Sequence, residues 1–226
     1  MYYDWTIILL LPGLLLGIWA QIQVKSAYRK YSQKGTAHGA TAEQVARDML
    51  SRSGNGRVSI TSVPGELTDH YDPRSNTLAL SQGVYGSGSI AAIGIAAHEC
   101  GHAIQDGSGY GPLKLRSAIV PVVNIGSNLY FPIFMAGILF SWEPLMNIGI
   151  LCFAATFLFS LITLPVEFNA SSRAIAALSQ GGYVNQEELR GVKAVLRAAS
   201  LTYVAAAVSS LLQLLRLLII ARGRRD

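Results

Sequence analysis

Charged residues are scarce in this chain: Asp, Glu, Lys and Arg make up 14% of 226 residues, against 51% apolar ones. That balance excludes an intrinsically disordered chain, which is rich in charge and poor in residues to bury. Cysteine is nearly absent, with only Cys100 and Cys152. Two cysteines exclude a disulfide framework, and Cys152, inside an apolar run, reads as a small packing residue. Internal repeats and low-complexity segments are missing, which excludes a repeat architecture. The positive excess is modest, 18 Lys and Arg against 13 Asp and Glu. These cations are dispersed beside apolar segments rather than grouped in a recognition motif, so the reading is loops beside anionic lipid and no nucleic-acid partner.

Four stretches contain no charge at all: Trp5–Val24, Ser117–Trp142, Pro144–Val166 and Ala198–Leu215. Each approaches or exceeds the roughly 18–20 residues that cross a bilayer core. The chain therefore reads as a polytopic protein of about four membrane helices. The first stretch is an uncleaved anchor rather than a secretory signal, because Lys25, Arg29, Lys30 and Lys34 follow it instead of preceding it. Ten Lys and Arg lie between Lys25 and Arg116 and four more between Arg173 and Arg197. The positive-inside rule then places the polar parts on the cytoplasmic side of the cell membrane. The terminal Arg222, Arg224 and Arg225 oppose that orientation if the last stretch crosses fully.

The expected organisation is an anchor (residues 1–24), a polar segment (25–116), a membrane hairpin (117–166), a helix and linker (167–197), and a C-terminal membrane helix with a basic tail (198–226). In the polar segment, Thr41-Ala42-Glu43-Gln44 is a capping-box pattern opening a short amphipathic helix that Ser53-Gly54-Asn55-Gly56 stops. Val58 and Ile60, Leu67–Tyr71 and Thr77–Leu80 predict two or three short strands around the turn at Asp72–Asn76. A small-residue apolar helix over 89–106 follows, too short to span. Pro165 is expected in the first turn of a new helix beginning near Glu167, and Asn185-x-x-Glu188 caps the next. The fold class is mainly α with a small β-sheet.

The 89–106 helix carries His98-Glu99-Cys100-Gly101-His102. The histidines stand four positions apart, so they lie about 40° apart around a helix and both imidazoles can reach one ion. Glu99 is on the same side, where it can act as base on an attacking water without being a ligand. Shuffling a chain with this His and Glu content yields H-E-x-x-H with a probability of about 0.002, so the pattern is informative as a zinc site. Gly101 has no side chain to hold neighbouring structure away.

A catalytic zinc needs a third protein ligand. The H-x-x-G-x-x-H continuation is absent, since Gln105 and Ser108 stand where Gly and His would be. Glu143 falls on the far side of the hairpin, Asp106 ends the same helix, and Glu187 and Glu188 read as a solvated first turn. Glu167 remains, an acid directly after an apolar helix, where a metal would relieve the cost of an unpaired carboxylate; pairing with Arg173 is the alternative. Asn169 is a candidate to orient a ligating imidazole or to serve as a turn residue. His70 and Tyr71 are candidate donors to the tetrahedral oxyanion, against a plain turn role.

Three segments together resemble the YugP-like neutral zinc metallopeptidases: Ala97-His98-Glu99-Cys100-Gly101-His102-Ala103-Ile104-Gln105, Leu67-Thr68-Asp69-His70-Tyr71-Asp72-Pro73 and Pro165-Val166-Glu167-Phe168-Asn169-Ala170. The order of parts is more distantly similar to HtpX-type and CAAX prenyl proteases, whose third ligand is a Glu after the membrane hairpin. The resemblance implies a zincin-like metalloprotease domain, one Zn²⁺ per chain, and His98, His102 and Glu167 as ligands. It further implies Glu99 as general base in hydrolysing a polypeptide substrate at the lipid bilayer. Similar proteases pair an extended substrate with an edge strand, here expected at Thr77–Leu80. Two rival readings are a site-2-like intramembrane protease, which would carry H-E-x-x-H inside a membrane span, and a metal-stabilised scaffold, which would want four protein ligands. No oligomeric state follows from the sequence.

Overall fold

The computed structural model describes residues 5–223; the last residues of the basic tail, including Arg224 and Arg225, lie outside them. A 3-10 turn, Trp5–Leu10, leads into α1 (Leu11–Ser32). Helix α2 (Ala42–Arg52) starts with the expected capping box: the Gln44 amide donates to Thr41 Oγ1 at 3.3 Å, and the Thr41 amide to Gln44 Oε1 at 3.0 Å. Its Ala42, Val45, Ala46, Met49 and Leu50 are buried as one face.

Three strands follow, β1 (Ser59–Val63), β2 (His70–Asp72) and β3 (Thr77–Ser81), in the order β1-β3-β2. β1 pairs with β3 in parallel and β2 with β3 antiparallel. Thr77–Leu80 is therefore the centre of the sheet and not its edge, contrary to expectation. The reason is legible in burial: Leu78, Ala79, Leu80 and Ser81 are all buried, as in a strand covered on both faces, whereas β1 shows the exposed pattern of an edge.

After the single turn α3 (Gln82–Tyr85) comes α4 (Ile90–Gly107), capped by Ser89, whose hydroxyl accepts from the Ala92 amide at 3.2 Å. Small residues let this helix be buried on nearly every side. Ala92, Ile93, Ala96, Ala97, Cys100 and Ala103 share one core with α2, the sheet and residues of two later helices, α6 (Glu143–Gln180) and α7 (Gln186–Arg222). Cys100 is buried on this core side, where burial pushes its thiol pKa up.

Helix α5 (Gly111–Leu139) completes the set. Among the described residues, four helices are long and apolar enough to cross a membrane: Trp5–Ser32, Gly111–Leu139, Glu143–Gln180 and Gln186–Arg222. Their surfaces decide the solvent. Leu139, Phe140 and Leu151 are 78%, 72% and 72% exposed, an arrangement that lipid favours and water does not. The protein is a membrane protein, mainly α with a small sheet. Contacts divide it into two compact units, Met1–Ala20 with Lys114–Pro165 and Thr202–Asp226, and Gln21–Leu113 with Val166–Leu201.

One helix boundary differs from expectation. Helix α6 runs unbroken through Pro165 instead of starting anew near Glu167. A new start needs an N-cap, and the nearest hydroxyl, Thr163, donates backward to the Phe159 carbonyl at 2.8 Å.

Candidate metal centre

The i, i+4 spacing on α4 stacks His98 above His102, with ring centroids 4.8 Å apart and planes at 83°. Helix α6 supplies Glu167 to the same place. The two helices approach closely because Gly101 faces Ala170: a Cβ at Gly101 would lie 3.0 Å from the Ala170 carbonyl carbon, and nearer to its oxygen. Glu167 stands one turn before Ala170, so its Oε2 comes within 3.2 Å of His98 Nε2 and 3.5 Å of His102 Nε2. One ligand atom from each residue fits within 4.8 Å of the others.

Glu167 is 2% exposed, and burial of a carboxylate is costly without a compensating cation. The two imidazoles lie against it. Burial disfavours the charged His102 imidazolium, but the hydrogen bond to Glu167 and the charges of Glu99 and Glu167 outweigh it and hold the pKa above its ordinary value. Two imidazole nitrogens and a carboxylate oxygen are also the donor set of a catalytic zinc, which keeps a fourth position for water. The residues fit that ion.

A hydrogen-bonded support surrounds the three. His102 Nδ1 lies 3.0 Å from Gln105 Oε1, and Gln105 Nε2 donates to the Val166 carbonyl at 2.8 Å and to Asn169 Oδ1 at 3.0 Å. Arg173 Nε donates to the same Asn169 oxygen at 2.8 Å, with its guanidinium 5.8 Å from the Tyr110 ring centre. Ser171 Oγ is 3.1 Å from His98 Nδ1. Gln105 and Ser171 were not singled out from sequence. The available signal was spacing: Gln105 is one turn beyond His102 on an otherwise small-residue helix, and Ser171 is one turn beyond Glu167. Asn169 braces Gln105 and so reaches His102 through it.

Glu99 is buried on α4 directly after His98, and its charge acts on His102. His70 is exposed on β2, its Nδ1 2.8 Å from the Thr68 carbonyl. The Tyr71 hydroxyl donates to Asp106 Oδ2 at 2.9 Å, and burial with this neighbour pushes its pKa up. Glu188 departs from the expectation of a solvated first turn: it is buried and accepts from the Ala37 amide at 2.7 Å and the Asn185 amide at 2.8 Å.

A family described as "Putative neutral zinc metallopeptidase" matches residues 6–222. The chain belongs to this family. It is also 46% identical over 220 residues to a Bacillus subtilis (strain 168) protein named "Putative membrane protease YugP", covering 97% of this chain and 98% of that one. No solved structure matches the chain. The match takes in the four apolar helices as well as the His98, His102 and Glu167 cluster, so family membership extends to the membrane part of the molecule.

Proposed function

We propose that this protein is a zinc-dependent membrane protease that hydrolyses peptide bonds in membrane or membrane-associated polypeptides. The observation that carries the reading is the convergence of His98, His102 and the buried Glu167 within 4.8 Å of one another, with Glu99 buried on the same helix as the histidines. The family description and the name of the Bacillus subtilis relative both speak of a protease.

Zn²⁺, one per chain, would be held by His98 Nε2, His102 Nε2 and a Glu167 oxygen, where it supplies Lewis-acid polarisation and makes a neighbouring water acidic near neutral pH. Glu99 takes the proton of the attacking water and passes it to the nitrogen of the departing amine, so that one carboxylate serves first as base and then as acid. The polar lining of Gln105, Asn169 and Ser171 holds the imidazoles in place throughout. With both sides of β3 paired, an extended substrate is assigned to the free edge of β2, the edge strand tied to α4 through Tyr71 and Asp106. The lysine and arginine distribution supports a cytoplasmic orientation of the site. Helix α4 is not among the candidate spans, which favours this reading over cleavage within a membrane-spanning active-site helix.

The test is cleavage of an unfolded casein-type substrate by detergent-purified protein. Cleavage that a chelator abolishes and added zinc restores is the expected result. Chelator-insensitive cleavage, or none from zinc-loaded protein, would count against the proposal.

A further inference from the structure

We infer that Gln105 is a positioning residue that fixes which nitrogen of His102 carries hydrogen and thereby aims the other at the metal. The inference rests on the metal-centre reading above and adds a determinant of its affinity.

The argument is one of hydrogen-bond direction. Gln105 is fully buried, so each of its polar atoms must find a partner inside the protein. A backbone carbonyl can only accept, so the Gln105 atom 2.8 Å from the Val166 carbonyl is the amide nitrogen. At the other end a guanidinium can only donate, so the Asn169 atom 2.8 Å from Arg173 Nε is oxygen. That oxygen then takes the second amide hydrogen of Gln105 at 3.0 Å. Both orientations follow without reference to a metal.

With its nitrogen so engaged, Gln105 has only its oxygen to offer His102, at 3.0 Å from Nδ1. Nδ1 must therefore carry the hydrogen. In the neutral ring, the form that binds a metal, the lone pair falls on Nε2, the atom that faces Glu167 at 3.5 Å. The opposite tautomer would turn an N–H toward the ion and leave Nδ1 and Oε1 as two facing acceptors. His98 is set differently: its Nδ1 partner is the Ser171 hydroxyl at 3.1 Å, which can donate or accept and so dictates nothing. His102 is the ligand prepared in advance, and the chain Arg173–Asn169–Gln105 prepares it while tying α4 to α6.

Zinc affinity, measured by chelator competition on the purified full chain, tests this for wild type, Gln105→Met, Asn169→Ala and Leu178→Ala. Methionine keeps the bulk of Gln105 without an acceptor for Nδ1–H. Asn169→Ala loosens Gln105 from its far end only. Leu178→Ala disturbs the α6 core outside the chain and serves as the control for general loosening. Loss of such a support for a metal-bound histidine weakens binding by roughly 10–100-fold, which is the expectation for Gln105→Met. Asn169→Ala should lose less, in the same direction, and Leu178→Ala should bind zinc as wild type does while melting lower. The absorption bands of the cobalt-substituted protein should move in Gln105→Met and stay in place in Leu178→Ala.

Wild-type zinc affinity in Gln105→Met, or an equal loss in Leu178→Ala, overturns the inference and leaves the metal centre standing. If Gln105→Met does not fold, unchanged affinity in Asn169→Ala overturns it. A wild-type protein that binds no zinc removes the metal-centre reading, and this inference with it.

Discussion

Replacing Gly101 with alanine puts a methyl group 3.0 Å from the Ala170 carbonyl carbon and 3.1 Å from its Cα. Carbon atoms at rest sit about 3.5–4.0 Å apart, and here the obstruction is backbone, which cannot swing aside like the end of a side chain. Helices α4 and α6 must separate by roughly 0.5–1 Å. Inserting a methyl group into so tight a place costs about 1–3 kcal/mol. His98 and His102 flank Gly101 on one helix, and Glu167 is one turn from Ala170 on the other, so the separation opens the ligand triangle directly. If zinc binding must supply the energy that draws the helices back, affinity falls by roughly 5–150-fold. The assay is chelator-competition affinity together with the melting temperature of the metal-free protein, with Gly86→Ala as control, since a Cβ there meets nothing within 4 Å. A Gly101→Ala protein that melts and binds zinc like wild type would refute the close-approach argument.

Zinc binding should weaken as pH falls. The metal-free protein holds the His102 proton above the usual pKa of 6.5, and zinc must displace it, so below that raised pKa each pH unit costs about tenfold in apparent affinity per proton released; a flat affinity profile from pH 8 to 5 would contradict this. The sign reverses for metal-free stability. A raised folded-state pKa stabilises fully below pH 6.5 and progressively less as pH rises through the raised value, so the metal-free form should melt lower at pH 9 than at pH 6. Glu188→Ala removes the acceptor for the Ala37 and Asn185 amides and should cost about 1–2 kcal/mol, seen as a lower melting temperature with zinc affinity retained; an unchanged melting temperature would show that Glu188 is dispensable.

The readable parts of this molecule were those where one residue type at a fixed spacing has one physical use. Four charge-free stretches give four helices, Thr41-Ala42-Glu43-Gln44 gives a capped helix start, and His98 and His102 at helical spacing lie together. Glu167 was reachable because a lone acid after an apolar helix needs a partner. The strand order was not legible: strands of three to five residues carry too few positions for periodicity to say which strand lies between the others, and only burial on both faces marks β3 as central. Pro165 reads locally as a helix start, yet the Thr163 hydroxyl that could cap one is bonded back to Phe159 and the helix runs on. Glu188 looks like any acid in a first turn until the loop at Ala37 is folded onto it. Gln105 is the most instructive omission, because a glutamine one turn past a histidine has no meaning until α6 brings Val166 and Asn169 to its amide.

The most direct test of the central claim is zinc content per chain measured alongside casein cleavage for wild type, Glu99→Gln and Glu167→Ala. A base that is not a ligand must be separable from a ligand. The account predicts that Glu99→Gln keeps one zinc and loses cleavage by roughly 100-fold or more, while Glu167→Ala loses both zinc and cleavage. Equal zinc in all three with no cleavage by any of them would contradict it, as would full activity in Glu99→Gln.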